Sequence, residues 1–185
     1  MTQLGKYFMF IGMMFRNREK FGVYWKQIIE ECILIGTDSI FIVALVSTFI
    51  GAVTCVQTAY NLVSPLIPNY VISLIVRDML LLEIAPTITC VVLSGKVGSN
   101  IAGTLGTMRV TEQIDAIEVM GINSTSYLVL PKIIASMITF PMLVVLAAFL
   151  GIWGGYVAGT FTGVITPEEY IYGIRADFIP YNVPF

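Results

Sequence analysis

Residues 133–165 form a run of 33 amino acids without a single Asp, Glu, Lys or Arg. As an α-helix rising about 1.5 Å per residue, such a run is roughly 50 Å long, well beyond the ~30 Å hydrocarbon core of a bilayer. It must tilt, kink near Pro141, or continue past the membrane. Residues 39–60 are a second uncharged run, of 22 residues. With 57% hydrophobic and 12% charged residues and a mean hydropathy of +0.86, the chain has too little polar surface to cover itself in water. Soluble domains have about 25% charged residues. The expected class is an all-α, polytopic transmembrane protein.

Along the chain, residues 4–15 are apolar but too short to span, and Arg16, Arg18, Glu19 and Lys20 follow. In residues 21–36 the aliphatics are interrupted by Trp25, Lys26, Glu30 and Glu31. Residues 1–36 therefore read as an amphipathic, interfacial N-terminal helical region. The first span is 39–60. A turn over 61–69 follows, marked by two prolines and two asparagines. The second span is 71–94, although it contains Arg77, Asp78 and Glu83. A cytoplasmic segment covers 97–121, and the third span region covers 131–165. Lys6, Arg16, Arg18, Lys20 and Lys26 precede the first span, and Lys96, Arg109 and Lys132 lie between the second and third. The positive-inside rule then places the N-terminus and 97–121 in the cytoplasm and 166–185 on the outer face. An end at Phe185, after an odd number of spans, reads as C-terminal truncation.

Several function classes are excluded. The net charge is −2, and no basic stripe with interleaved aromatics offers itself to nucleic acid. There is no His, which removes the commonest general base and metal ligand. Cys32, Cys55 and Cys90 lie far apart in apolar runs and form no CxxC pair, so no metal site is expected. No short apolar core followed by a small-residue cleavage site marks a signal peptide.

Small residues recur at every fourth position in two series: Gly98, Ala102 and Gly106, then Gly151, Gly155 and Gly159. Such faces let helices approach closely in lipid, either within the chain or across a homodimer. Glycines of the first series do not make a phosphate loop, because no Gly-Lys-Ser/Thr ending follows. A mid-span carboxylate is costly in lipid, so Glu83 either walls a cavity that meets a polar headgroup or pairs with a neighbouring helix. Pro86 loosens the helix beside it. Arg77 and Asp78 read as interfacial anchors, and Gln57 and Tyr60 as possible lining of the same cavity as Glu83. Val110, Ile114 and Ile117 share an apolar helical spacing. Glu112, Asp115 and Glu118 lie opposite, as a docking surface or a solvated face.

The stretch VGSNIAGTLGTMRVTEQIDAIEVMG (97–121) resembles the signature of MlaE/YrbE-type permeases, membrane subunits of lipid-transporting ABC systems. YLVLPK (127–132), GIWGG (151–155), FIG (49–51) and LEIAP (82–86) are similar to the same family. Many members carry an arginine immediately before the glutamate, where this chain has Leu82, and members continue with further spans. The resemblance implies a homodimeric permease that moves phospholipid or a related lipid between the bacterial inner membrane and a periplasmic MCE-domain protein. It implies no catalytic centre and no cofactor of its own, with ATP bound by a cytoplasmic ABC ATPase partner. Thr111, Glu112, Gln113, Asp115, Ala116, Glu118 and Met120 would form the coupling helix on that ATPase. Gln57, Tyr60 and Glu83 would lie near the lipid pocket between the two permease copies. The rival readings are a channel or structural membrane protein assembled through the glycine faces, and an intramembrane hydrolase using Glu83 or a serine. No nucleophile-elbow motif supports the hydrolase.

Overall fold

The structure, a computed structural model, describes Gly5, Met9, Gly12 and residues 21–62 and 68–176. The described residues are all-α: α1 (Phe21–Asn61), α2 (Tyr70–Met79), a π-helical turn (Leu80–Ile84), α3 (Ala85–Val110), α4 (Gln113–Val119), α5 (Ser124–Phe161) and α6 (Pro167–Arg175). Two helices are long and apolar enough to cross a membrane, over Tyr24–Asn61 and Ser124–Phe161. The chain groups into two compact units. One is Met1–Ser39 with Leu93–Phe140, and the other is Ile40–Val92 with Pro141–Phe185.

In the first unit, Tyr24, Ile28, Ile35 and Ser39 are buried, a spacing of four, seven and four that defines one helical face. That face meets α5. The hydroxyls of Tyr24 and Ser126 are 2.9 Å apart, Lys132 Nζ donates to Glu31 at 2.5 Å, and the Cys32 thiol points to the Ala135 carbonyl at 3.8 Å. A Cβ at Gly36 would come within 3.0 Å of the Thr139 methyl. Partner numbers rise together, so α1 and α5 run parallel here. Lys96 donates to the Asp38 carbonyl, which brings in α3.

This corrects the expected N-terminal boundary. Residues 21–36 are not a separate interfacial helix but the first turns of α1, which runs unbroken for 41 residues. No proline interrupts it, and its buried face packs on α5. Apart from Gly5, Met9 and Gly12, the expected interfacial residues 1–20 lie outside the described residues. So do 63–67 of the expected turn and 177–185 of the expected outer segment.

In the second unit, α1 and α5 touch backbone to backbone. A Cβ at Gly51 would collide with the Gly151 carbonyl, and one at Gly154 with the Thr48 carbonyl. At Gly155 it would lie 2.7 Å from the Tyr170 hydroxyl, and at Gly159 3.1 Å from the Cys55 sulfur. Here too the pairs rise together, from Gly51 with Gly151 to Cys55 with Gly159. Of the two small-residue series, the second is thus spent within the chain. Gly98 and Gly106 have nothing within 4 Å of a Cβ, and Gly98, Ala102 and Gly106 are exposed. Pro141 lies inside α5 without ending it.

The stretch expected as the second span is divided. Pro86 has no N–H to offer the Leu82 carbonyl, and its ring crowds that oxygen. The helix answers with a wider turn, in which the Ala85 amide reaches back to Leu80, a π-bulge. Beyond it α3 continues to Val110, so residues 97–110 are helical in continuity with the apolar stretch before them. Arg77 is not an interfacial anchor. It is 3% exposed, and its guanidinium donates to the carbonyls of Ile174 and Ala176 at the end of α6 and to Asp78 at 2.8 Å. Carbonyls in a helix's last turn lack intrahelical partners, and that draws the arginine inward.

α6 begins with a capping box. The Glu169 amide donates to Thr166 Oγ1, and the Glu169 carboxylate accepts from the Thr166 amide. The Thr166 hydroxyl, followed by its backbone amide, holds the Glu169 carboxyl below its usual range.

Two predictions follow from this packing. Gly51→Ala or Gly154→Ala should destabilise by about 1–3 kcal/mol through overpacking, whereas Gly98→Ala or Gly106→Ala should be neutral or stabilise by about 0.5–1 kcal/mol. Thermal unfolding in detergent measures both. Because the folded pKa of Glu169 is depressed, its contribution is complete above the unfolded value of ~4.3 and is lost as pH falls through the lower folded value. Amide protection in the first turn of α6, measured against the intrinsic exchange rate at each pH, should therefore fall on acidification, and Glu169→Gln should flatten that pH dependence.

Candidate functional site

Between α3 and α5 the chain makes a compact protrusion. The last turns of α3 and the residue just after it carry threonines whose hydroxyls bond back along that helix: Thr104 to the Asn100 carbonyl at 2.8 Å, Thr107 to Gly103 at 3.1 Å and Thr111 to Thr107 at 2.8 Å. These bonds satisfy the polar side chains locally. The chain then reverses through Glu112, which is in the left-handed region with φ 58°. A non-glycine residue there costs about 1–2 kcal/mol. The Ala116 amide bonds to the Glu112 carbonyl at 3.0 Å and opens α4.

α4 stops at a Schellman turn. The Gly121 amide bonds to Glu118 at 2.9 Å and the Ile122 amide to Ile117 at 3.3 Å, with Gly121 at φ 81°. Glycine adopts this conformation without a Cβ clash, and the two bonds satisfy orphan carbonyls. Two side-chain bonds brace the protrusion. Arg109 Nη1 pairs with Asp115 at 2.9 Å, and the Ser124 hydroxyl donates to Glu118 at 2.7 Å. The Arg109–Asp115 pair is more than half exposed, so it adds little stability and serves to set geometry.

Thr111, Glu112, Gln113, Asp115, Ala116, Glu118 and Met120 are all exposed, while Ile114 and Ile117 are half-buried. The three carboxylates are not equivalent. Asp115 and Glu118 are engaged within the chain, and Glu112 shapes the turn. Val110 does not share a helical face with Ile114 and Ile117, because the reversal at Glu112 separates them. Val110 is instead 84% exposed and Val119 89% exposed, beside Met120 at 67%. These two valines were not among the expected coupling residues. The sequence signal was a valine flanking each end of the acidic segment, next to Glu118 on one side and two residues before Glu112 on the other.

The other expected site residues lie in the second unit. Gln57 and Tyr60 are exposed on α1, and Glu83 is exposed on the π-helical turn. None of the three lines the cavity that this unit contains. That cavity measures about 10 Å³ and is walled by Val43, Ser47, Leu80, Ile84, Thr89 and Ala147 among others. That volume suits a single water rather than a lipid. Ser47 turns its hydroxyl to the Val43 carbonyl at 2.7 Å, which leaves the wall largely apolar. Among the described residues, no three Cys, Asp or Glu side chains gather as metal ligands.

The family model described as Permease MlaE matches residues 28–185. The chain belongs to the MlaE permease family. It is 36% identical over 149 residues to a probable ABC transporter permease protein of Rickettsia bellii, covering 80% of this chain and 57% of that protein. A probable ABC transporter permease protein of Synechocystis is 31% identical over 172 residues, covering 91% and 64%. The intermembrane phospholipid transport system permease protein MlaE of Haemophilus influenzae is 28% identical over 136 residues, covering 74% and 52%. The chain thus spans about half to two-thirds of the length of these relatives. For this MlaE-family chain, the braced α3–α4 protrusion coincides with the 97–121 signature.

Replacing Glu112 by glycine should stabilise the turn by about 1 kcal/mol, because the left-handed conformation then carries no Cβ penalty. Glu112→Val should cost more than Glu112→Ala. Thermal unfolding of the purified variants in detergent measures both.

Proposed function

We propose that this chain is the permease subunit of an ABC transporter that moves phospholipid or a related lipid between the inner membrane and a periplasmic MCE-domain protein. ATP hydrolysis belongs to a cytoplasmic partner ATPase, and the permease contributes no catalytic centre. The observation that carries this reading is the α3–α4 protrusion. A short helix, braced by Arg109–Asp115 and Ser124–Glu118, presents an exposed rim of Val110, Val119 and Met120. A rigid polar protrusion with an apolar rim can receive a push from a soluble partner and pass it to the helices it joins. Membership in the MlaE family and the printed function of the Haemophilus relative support lipid as cargo.

The parallel course of α1 and α5 supports a multi-pass topology. Two parallel crossings need a return between them, and the 70–110 helix is the segment available. Its π-bulge, and charges such as Glu83, fit a wall of a polar-headgroup pocket better than a lipid-facing span. In this reading Gln57, Tyr60 and Glu83 line a pocket completed by a second permease copy, and the exposed Gly98, Ala102 and Gly106 face suits close helix packing in that assembly.

The test is reconstitution of the full-length gene product with its ATPase in liposomes. Combined reversal of Glu112, Asp115 and Glu118 to lysine should lower lipid transport per ATP hydrolysed by tenfold or more, about 1.4 kcal/mol of coupling. Glu83→Gln should lower lipid transport while sparing ATPase association in pull-down. Transport that persists without the ATPase, or is indifferent to the reversal, favours a channel or structural protein assembled through the glycine faces.

A further inference from the structure

The first turn of α5 is held on two sides. Ser124 and Ser126 are two positions apart and so project about 200° apart around the helix. Ser124, itself buried, donates to the Glu118 carboxylate of α4 at 2.7 Å. Ser126, buried as well, has its hydroxyl 2.9 Å from that of Tyr24 on α1. Less than two turns further along α5, the Lys132 ammonium meets the Glu31 carboxylate of α1 at 2.5 Å. The opening of α5 is thus a junction, with the α4 protrusion on one side and the start of α1 on the other.

These contacts differ in what it costs to break them. The Arg109 and Asp115 side chains, which brace α4 against α3, are 66% and 53% exposed. Water takes over each half of that pair when it parts, so the brace is weak. Lys132 and Glu31 are 12% and 23% exposed. Parting them leaves two largely desolvated charges unpaired, which costs far more than parting a surface pair. The buried Tyr24 and Ser126 hydroxyls would likewise lose a bond without gaining water. A displacement of α4 is therefore shed easily at the α3 brace. At α5 it is passed on, because the first turns of α5 cannot leave α1 without stranding buried polar groups.

We propose that Tyr24 and the Glu31–Lys132 pair are positioning residues of the transport cycle, which carry displacement of the α4 protrusion through the first turns of α5 to α1. Their part is to hold one helix to another, and none is assigned contact with lipid or with the ATPase. The portion of α1 concerned, residues 24–31, then serves transmission rather than anchoring at the membrane surface. This deepens the permease reading and rests on it.

A link requires energetic coupling between its two ends, which adjacency alone does not establish. The first measurement is a double-mutant cycle of Ser124→Ala with Tyr24→Phe in the full-length gene product in detergent, read by amide protection over residues 124–132. Each single change should lower protection about threefold, the scale of one hydrogen bond. The double variant should lose less than the product of the two, because both hydroxyls hold one turn. Additive losses overturn the link. The second measurement is reconstitution in liposomes with the partner ATPase. Lys132→Gln should lower lipid moved per ATP hydrolysed about fivefold, while ATPase pull-down and ATP turnover are kept. A merely structural role would lower assembly and turnover together and leave the ratio per ATP unchanged. Tyr24→Phe should give a smaller fall in that ratio, and the swap of Glu31→Lys with Lys132→Glu should recover most of it. An unchanged ratio in Lys132→Gln and Tyr24→Phe overturns the transmission role. Should Lys132→Gln fail to assemble, Tyr24→Phe decides alone: a lowered ratio supports the role and an unchanged one overturns it. Absence of ATP-driven lipid movement in the parent protein overturns the permease reading and this role with it, whereas an additive cycle overturns the link alone.

Discussion

The backbone contact between α1 and α5 in the second unit is the constraint on which the remaining packing depends. Gly51 lies against Gly151 and Gly154 against Thr48, with no room for a Cβ at either. In lipid, apolar side chains gain little by leaving the solvent for one another, so helices associate through close van der Waals contact and hydrogen bonds. Glycine supplies the first, and it does so at matched positions on two helices that run parallel. Once these two are fixed, the path of the intervening chain is limited to a return, and the polar residues of that return must find partners within the protein.

The 70–110 helix meets that demand at Arg77 but not at Glu83. Pro86 forces a π-bulge, which sets Leu80 and Ile84 on the cavity side and leaves Glu83 exposed. Arg77, one turn earlier, is satisfied by the open carbonyls at the end of α6 and by Asp78. The charged residues of one nominal span thus divide between a pair, buried Arg77 with half-buried Asp78, and an exposed Glu83. The difference arises from backbone geometry, namely where a helix ends and where a proline breaks the ladder, rather than from side-chain chemistry.

Much of the protrusion between α3 and α5 could be read from residues. Its polar composition between apolar runs set it apart from the two long apolar helices, and the structure finds the residues from Thr111 to Met120 exposed apart from the half-buried Ile114 and Ile117. The reversal at Glu112 could not be read, because glutamate carries no local signal for a left-handed conformation and VTEQIDAIEV has an unbroken helical period. That period placed Val110 with Ile114 and Ile117, and the turn separates them. The N-terminal boundary failed for the opposite reason. Charged interruptions over 21–36 suggested a surface helix, but Tyr24, Ile28 and Ile35 form a buried stripe that continues into the first span.

By itself the sequence determined the class, the all-α architecture and the family. Long uncharged runs give helices long and apolar enough to cross a membrane, and the family model matches residues 28–185. It also marked which glycines were eligible for close packing. Only the tertiary structure decided which of them were used: Gly151, Gly155 and Gly159 are consumed inside the chain, while Gly98, Ala102 and Gly106 remain exposed. It likewise decided that Arg77 closes the end of a helix 97 residues away. Periodicity reports which side of a helix is small, apolar or charged. It does not report what lies opposite, because that depends on contacts between residues roughly a hundred positions apart.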